Sequence, residues 1–373
     1  MANVYLYGDD NAGIAPVPTG VCYFRTSDPP SGGPQLMEHP FDALSACNRP
    51  IGVDATYAGT SDPARTDLMK VAVFDINKAR GELNGAGSNN YGHGWIVGTS
   101  SDPLVHVVTN GNDNVNLPAD VRIPHNFTGG TKDGGADQGV TIFDTTTGIT
   151  SQFFQFFRVN DNNATAAGRR LPDLAGRDWS NPWPNGTRIS SSASRIAQLG
   201  LDIRGSEFNL AVSPPVQHAL NMALGSRPSD AAIQMSKNFI WPAAGVDGFA
   251  NNAGNNTGNI DYGTLWAIPP EDKGGPNFDS LTFLNTPQRR RMADVWRSHG
   301  IYSVDVGGSN TMRSDQYLDN AVRTSLMAMM TSLKPYLRRV TNNTQGTLTA
   351  GGGTPLMQPN CAYNATGVDW RAS

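Results

Sequence analysis

The sequence Ile301-Tyr302-Ser303-Val304-Asp305-Val306-Gly307-Gly308 closes the stretch of chain, residues 214–308, that carries the clearest structural patterns. Its β-branched and aromatic residues favour a strand, and its two final glycines favour a turn. A carboxylate inside such an apolar run needs a partner if it points inward. Asp305 is therefore of interest for function as well as for the fold.

A helix is predicted immediately before this strand. Thr286 is a favourable N-cap, Pro287 suits the first helical position, and Gly300 follows the last turn. The apolar side chains of this helix form one stripe, so we expect it to pack on a sheet beside the strand that follows. The stripe consists of Met292, Val295 and Trp296.

A β-hairpin is the clearest prediction outside this stretch. Val140-Thr141-Ile142-Phe143-Asp144 is typical of a strand, residues 145–148 of a turn, and residues 149–159 of a second, aromatic strand. Asp144 fits the first residue of an Asx-type turn. Two further strands are predicted at residues 95–98 and 104–108.

A second long helix is predicted from Asp315 to about Leu333, with Ser314 as its cap. Residues 335–340 then favour a strand. The apolar positions of this helix also fit one stripe, which contains Leu318, Val322, Leu326, Met329 and Met330.

The composition favours a mainly β protein. Among 373 residues, 41 Gly and 25 Pro predict many turns between short strands. The net charge of −4 and the lack of a basic cluster argue against nucleic-acid binding, and no apolar run is long enough for a bilayer. We predict one main domain at residues 46–340, an N-terminal arm at residues 1–45 and a C-terminal tail at residues 341–373.

The N-terminus lacks the basic and apolar segments typical of a signal peptide. Two explanations stay open: a leader has been removed, or the protein leaves its cell by lysis, as virion proteins do. The chain has three cysteines, Cys22, Cys47 and Cys361, so one thiol must stay unpaired and no disulfide framework is expected. A Cys22–Cys47 bridge is kept as an alternative.

Several short motifs follow one another along residues 46–310. They are Asn48-Arg49-Pro50-Ile51-Gly52, Val121-Arg122-Ile123-Pro124, Asp137-Gln138-Gly139 with Thr141-Ile142-Phe143-Asp144, His218-Ala219-Leu220, Trp241-Pro242-Ala243 with Asp247-Gly248, and Thr286-Pro287-Gln288-Arg289 leading to Tyr302-Ser303-Val304-Asp305. In this order they resemble a largely uncharacterised β-sandwich family, which occurs in secreted bacterial proteins and in bacteriophage tail-fibre and tail-spike proteins.

This resemblance implies a jelly-roll-like β-sandwich with a few peripheral helices that meets polysaccharide. The family tends to carry a His in the loop before the first hairpin strand, where this chain has Gln138 after Asp137. If that His is catalytic in the family, this chain has lost it, which favours binding over catalysis.

Three residues are candidates for acid–base catalysis: His218, Asp247 and Asp305. Each also has a structural interpretation. His218 lies among apolar residues and fits a buried, hydrogen-bonded imidazole. Asp247 fits a turn cap before Gly248, and Asp305 fits a hydrogen bond to a nearby turn.

Aromatic side chains are candidates for sugar binding, because sugars pack their C–H faces on rings. Trp179 and Trp183 flank a polar loop and are the preferred stacking candidates, whereas Trp241 fits the core better.

Polar residues provide the other ligand-binding candidates. Arg204 and Glu207 form either an ion pair, which we prefer, or an arginine clamp for a uronate carboxylate. Asp261 and Tyr262 either line a cleft or lie at a strand edge.

No cofactor is predicted. The chain lacks the P-loop, the nucleophile elbow, the H-E-x-x-H motif and the dinucleotide-binding fingerprint. The run Asn110-Gly111-Asn112-Asp113-Asn114 is similar to calcium loops but lacks the bidentate Glu of an EF-hand. Bound Ca²⁺ is therefore kept only as an alternative.

Together these features predict a bacteriophage tail protein, either a fibre, a spike or a receptor-binding subunit. It would present a β-sandwich to host-surface glycan, assemble as a homo-oligomer with other virion tail proteins, and be found in the virion or outside the cell. The alternatives are an extracellular polysaccharide lyase or glycoside hydrolase and a purely architectural virion protein.

Overall fold

A computed structural model describes most of the chain from residue 45 to residue 356. In the described part, strand residues outnumber helical ones, at 32% against 24%. The prediction of a mainly β fold is confirmed. The described ranges are 45–70, 74–78, 93–108, 112–118, 139–147, 149–154, 156–160, 162–166, 168–170, 192–209, 216–225, 235–247, 256–307, 310–315, 317–347 and 349–356.

Within these ranges the chain forms sixteen strands and four α-helices. The strands are β1 (Phe74–Lys78), β2 (His93–Gly98), β3 (Leu104–Val108), β4 (Asn112–Asn116), β5 (Gly139–Asp144), β6 (Ile149–Phe154), β7 (Phe157–Arg158), β8 (Asn163–Thr165), β9 (Gly168–Arg170), β10 (Leu220–Gly225), β11 (Met235–Phe239), β12 (Ile260–Tyr262), β13 (Leu265–Ala267), β14 (Ile301–Gly307), β15 (Asn310–Ser314) and β16 (Arg338–Arg339). The helices are α1 (Pro63–Lys70), α2 (Gly205–Phe208), α3 (Pro287–Ser298) and α4 (Asn320–Leu333).

A six-stranded mixed sheet forms the centre of the main core, in the order β1-β15-β10-β14-β13-β16. Strands β10 and β14 run parallel, and β15 runs antiparallel on the other side of β10. A register shift after Met222 places Ala223 opposite Asp305. The parallel pair therefore begins just after His218 and His299 at one edge and brings Asp305 to the opposite edge.

Helix α3 forms where the sequence predicts it. The Thr286 hydroxyl accepts a hydrogen bond from the Arg289 backbone N–H at 3.3 Å. Gly300 has φ +79°, and a Cβ there would lie 2.5 Å from the Trp266 carbonyl oxygen, so this position requires glycine. The predicted stripe of Met292, Val295 and Trp296 is buried in the main core.

The second long helix begins later than predicted. Helix α4 starts at Asn320 after Asp319, whereas Ser314 is the last residue of β15. The Asp315 carboxylate accepts hydrogen bonds from the backbone N–H of Gly205, at 3.0 Å, and of two residues that follow it, Tyr317 and Leu318. Asp315 therefore holds the connection between β15 and α4 against α2 instead of starting a helix.

The strand predicted at residues 335–340 is also shorter than expected. Residues 334–336 form a 3₁₀ turn, and only Arg338–Arg339 is extended, as β16. The reason is local, because the ring of Pro335 fixes φ at a value that suits the turn and supplies no N–H to a strand ladder.

Two four-stranded sheets lie within residues 93–170, in the orders β2-β5-β6-β9 and β4-β3-β8-β7. The predicted hairpin is confirmed as β5 and β6, and the strands predicted at 95–98 and 104–108 are β2 and β3. The long aromatic strand is wrong: β6 ends at Phe154, and β7 pairs in the other sheet. Both sheets contribute to one core of Ile96, Val105, Val107, Val115, Leu117, Val140, Ile142, Phe153, Phe156 and Ala164.

The start of the described chain pairs with its end. Ile51 bridges to Ala350 and Gly52 to Pro355, within the predicted tail. Cys47 is a free, buried thiol, so the Cys22–Cys47 bridge is not formed, and burial raises the pKa of Cys47 to about 12. No helix in these ranges has the length and apolar character needed to cross a membrane. The N-terminal arm and the other two cysteines lie outside the described residues.

Candidate functional site

Two of the three catalytic candidates, Asp247 and Asp305, lie near one phenol, that of Tyr262. Burial raises the pKa of Tyr262, and the carboxylates of Asp305 and Asp247 raise it further. The Asn256 amide donates to the Tyr262 oxygen at 3.0 Å, and the Asp247 backbone N–H also hydrogen bonds with it. At neutral pH the phenol is therefore protonated and held next to two carboxylates. We call Asp247, Tyr262 and Asp305 the acidic site.

Asp305 is held in place from two sides. One carboxylate oxygen accepts from the Val306 backbone N–H at 2.9 Å. The other accepts from the Arg313 guanidinium, also at 2.9 Å. The sequence argument that a carboxylate in this strand needs a partner is thus met by Arg313, which the sequence analysis did not identify.

A short turn at residues 192–196 explains why Asp247 and Asp305 meet. The Ser194 N–H donates to the Val304 carbonyl at 3.0 Å, next to Asp305. The Ser194 carbonyl in turn accepts from the Ala244 N–H at 2.9 Å, close to Asp247. The turn thereby joins the segment that carries one acid to the strand that carries the other.

An exposed apolar border runs beside the acidic site. Phe239 is 51% exposed and Ile240 is 38% exposed. Phe239 lies opposite Tyr262 in the pairing of β11 with β12, and the Ile240 N–H donates to the Tyr262 carbonyl at 2.8 Å. The sequence analysis missed Phe239. The preceding polar residues, Lys237 and Asn238, which are also exposed, were the available signal.

Trp241 and Asp261 are also near this border. Trp241 is half-buried against the main core, and the Arg49 guanidinium carbon lies 4.8 Å from the centre of its ring. Asp261 is partly exposed in β12, where its carboxylate accepts from the Ser236 hydroxyl. Both residues already have intramolecular contacts, so neither is presented solely to solvent.

His218 belongs to a different, fully buried cluster. Its Nε2 atom lies 3.1 and 3.0 Å from the two Glu207 carboxylate oxygens. Arg204 approaches the same carboxylate at 3.3 Å and donates to the Leu199 carbonyl at 2.9 Å. Each of these three side chains is at most 5% exposed. Arg204 and Glu207 thus form the ion pair that the sequence analysis preferred.

The hydrogen bonds of His218 fix the number of protons in this cluster. Its Nδ1 atom faces the Ala219 carbonyl at 2.8 Å, and a carbonyl can only accept. Nδ1 therefore carries a hydrogen, and one more proton must lie between Nε2 and Glu207. Nearby His299 stays neutral because burial, together with His218, lowers its pKa to about 3.

The two clusters lie at opposite edges of the parallel pair. His218 comes two residues before β10, whereas Asp305 lies opposite Ala223, so they are on the order of 15 Å apart along the strands. A buried chain of hydrogen bonds runs between them: Arg313 N–H donates to Asn221, and Asn221 donates to Asp202. His218 therefore does not join the two acids in one reaction centre.

Asp202 lies in the middle of this chain. Burial raises its pKa to about 8, although Arg313 and Arg204 lower it. One oxygen of its carboxyl accepts from Asn221 at 2.8 Å, and the other is buried without a partner. A neutral carboxyl group is the form that this environment favours at neutral pH.

The remaining candidates are placed as follows. Trp179, Trp183 and Gln138 lie outside the described residues. Residues 112–116 form β4, and the Asn114 side chain contacts His106 at 2.9 Å. In the described part of the chain no group of three or more His, Cys, Asp or Glu residues is arranged to hold a metal ion.

Comparison with protein-family models, with curated proteins and with solved structures finds no match to this chain.

Proposed function

We propose that the protein binds polysaccharide at the acidic site. The convergence of Asp247 and Asp305 at Tyr262, beside the exposed ring of Phe239, carries this proposal. Carboxylates accept hydrogen bonds from sugar hydroxyls, and an exposed aromatic ring packs on the C–H face of a sugar. Partly exposed Asp247 would make direct contact, while buried Tyr262 would hold the acids in place.

The proposed setting is a bacteriophage tail fibre, spike or receptor-binding subunit that acts as a homo-oligomer and meets host-surface glycan. The motif resemblance supports it. The shared core of the two four-stranded sheets supports the proposal that residues 93–170 form a β-sandwich of the jelly-roll kind. In this setting the protein is found in the virion or outside the cell.

A binding experiment with a matched control tests the proposal. The purified chain is titrated with capsular polysaccharides, exopolysaccharides and O-chains from candidate hosts. Asp247→Asn is expected to weaken binding about tenfold or more, because hydrogen bonds to a charged group are lost. Asp279→Asn is the control, since its side chain is 81% exposed at a distant 3₁₀ turn. The absence of any glycan ligand would overturn the proposal.

A polysaccharide-degrading activity is the second candidate, and the protonated phenol beside two carboxylates favours it. Glycoside hydrolases use paired carboxyl groups, and Tyr is an established proton donor or acceptor in enzymes. In this reading Asp247 and Asp305 are the acid–base pair, and His218 takes no part because it is paired with Glu207. New reducing ends, or the absorbance of an unsaturated uronate, would support a hydrolase or a lyase. Their absence from every bound glycan would exclude both.

An architectural virion protein without a ligand remains the alternative to both proposals. It predicts that the glycan panel and a cell-binding assay give no signal.

A further inference from the structure

Arg195 has an unusual conformation next to the acidic site. Its φ is +65°, a left-handed value that L-residues other than Asn and Asp seldom adopt. Its side chain is half-buried. Within the described residues, no carboxylate or carbonyl accepts a hydrogen bond from its guanidinium. The turn thus holds a cation in a strained conformation without using its charge inside the protein.

Gly245 makes room for this cation. A Cβ added at Gly245 would lie 2.7 Å from Arg195 Nε and 3.2 Å from both Cδ and Cζ. All three of these nearest atoms belong to Arg195, so the side chain lies directly against the backbone at Gly245. Any larger residue at position 245 would push the guanidinium away.

The turn that carries Arg195 is the one that joins the two acids. The preceding residue, Ser194, is hydrogen bonded both to Val304, next to Asp305, and to Ala244, in the segment of Asp247. Arg195 therefore lies where the two acid-bearing segments meet. The charge of Arg313 is already neutralised by Asp305, so Arg195 is the cation that remains for a ligand.

We propose that Arg195 recognises the carboxylate of an acidic sugar, so that the ligand of the acidic site is a glycan that contains uronate. This inference rests on the proposed function, since it names the class of glycan. Two aspartates alone would repel an anionic sugar, and a guanidinium offers paired N–H donors that match a carboxylate. Arg204, the clamp considered from sequence, is buried with Glu207, whereas Arg195 is partly exposed.

The test is a calorimetric titration with oligogalacturonate, oligomannuronate and hyaluronan oligosaccharides. Each is compared with its carboxyl-reduced, neutral counterpart. The wild type is expected to prefer at least one acidic form, and Arg195→Ala is expected to weaken its binding about tenfold or more. The same substitution should leave the affinity for the neutral counterpart unchanged.

Gly245→Ala provides an independent variant, because it keeps Arg195 but displaces its flexible side chain. It should reproduce the loss seen with Arg195→Ala. Gly346→Ala is the control, since a Cβ at Gly346 meets nothing within 4 Å. Arg195→Ala itself leaves the backbone cost unchanged, because alanine and arginine both carry a Cβ at this φ. Arg195→Lys keeps the charge without the paired donors and should show an intermediate loss.

The outcomes separate the inference from the proposed function. Weaker binding of acidic glycans by both variants, with wild-type thermal stability, supports the inference. Binding of neutral glycans only, or of acidic glycans with unchanged affinity in both variants, overturns it and leaves polysaccharide binding intact. If no glycan on the broader host panel binds, polysaccharide binding fails, and the role of Arg195 fails with it.

Discussion

Asp305 and Arg313 form a buried ion pair between strands that are not neighbours. Asp305 lies on β14 and Arg313 on β15, and β10 runs between them. The intervening position is Ala223, which is opposite Asp305 on one side and Thr311 on the other. The small side chain of Ala223 leaves room for the guanidinium to reach across the strand, at 2.9 Å from the carboxylate.

This arrangement predicts a large effect of Asp305→Asn on stability. The substitution leaves the Arg313 charge buried without its counter-ion, which costs about 3–5 kcal/mol of the free energy of unfolding. Urea denaturation measures the loss. Asp279→Asn removes the partner of Arg290 at the surface and should cost about 0–1 kcal/mol. Equal losses in the two variants would contradict the account.

Glu207→Gln should lower stability without changing glycan binding. The substitution removes the carboxylate that Arg204 and His218 share, and the expected loss is again about 3–5 kcal/mol. Thermal unfolding and glycan titration are measured on the same sample below its unfolding temperature. A change in affinity with unchanged stability would show that this cluster, and not the acidic site, meets the ligand.

Asp202 predicts a specific dependence of stability on pH. Its pKa is about 8 in the folded protein and about 3.9 in an unfolded chain, so between these values only the folded state keeps the proton. The stabilisation is fully present below about pH 4 and is lost as pH rises to about 8.

The comparison with Asp202→Asn isolates this effect. Asparagine does not titrate and can still accept from Asn221, so stability relative to this variant should fall across that window and level off above it. His299 acts in the opposite direction, losing stability as pH falls from about 6.5 to about 3, but it is present in both proteins and cancels. A difference that stays constant from pH 4 to pH 8 would be incompatible with a raised pKa of Asp202.

Gly300→Ala should destabilise the junction of α3 and β14. The position has φ +79°, and a Cβ there would lie 2.5 Å from a backbone carbonyl, so the loss should exceed the roughly 1 kcal/mol of an ordinary left-handed substitution. Gly346→Ala, where the surrounding space is open, is the matched control. Denaturant midpoints for the two variants that differ by less than their error would rule out this packing.

Local signals predicted the elements whose stability is local. The cap at Thr286 and the glycine at position 300 fix both ends of α3 within the helix itself. The start of α4 was wrong because Ser314 and Asp315 are used elsewhere: one ends β15, and the other bonds to Gly205, which is 110 residues away. Such a partner has no signature near either residue.

The candidate site shows the same division. Asp305 stood out because a carboxylate in an apolar strand needs a partner, yet its partner could not be named before the order of the strands was known. Asp247 met Tyr262 through the turn at residues 192–196, whose contacts are all distant in sequence. Phe239 was missed because exposure of an aromatic residue depends on which face of β11 is covered.

The structure of the protein with its best-binding oligosaccharide is the most direct test of polysaccharide binding at the acidic site. The account predicts a sugar hydroxyl within hydrogen-bonding distance of the Asp247 carboxylate and a sugar ring packed on Phe239. A sugar bound at another surface, with Asp247 and Phe239 free of contact, would contradict it.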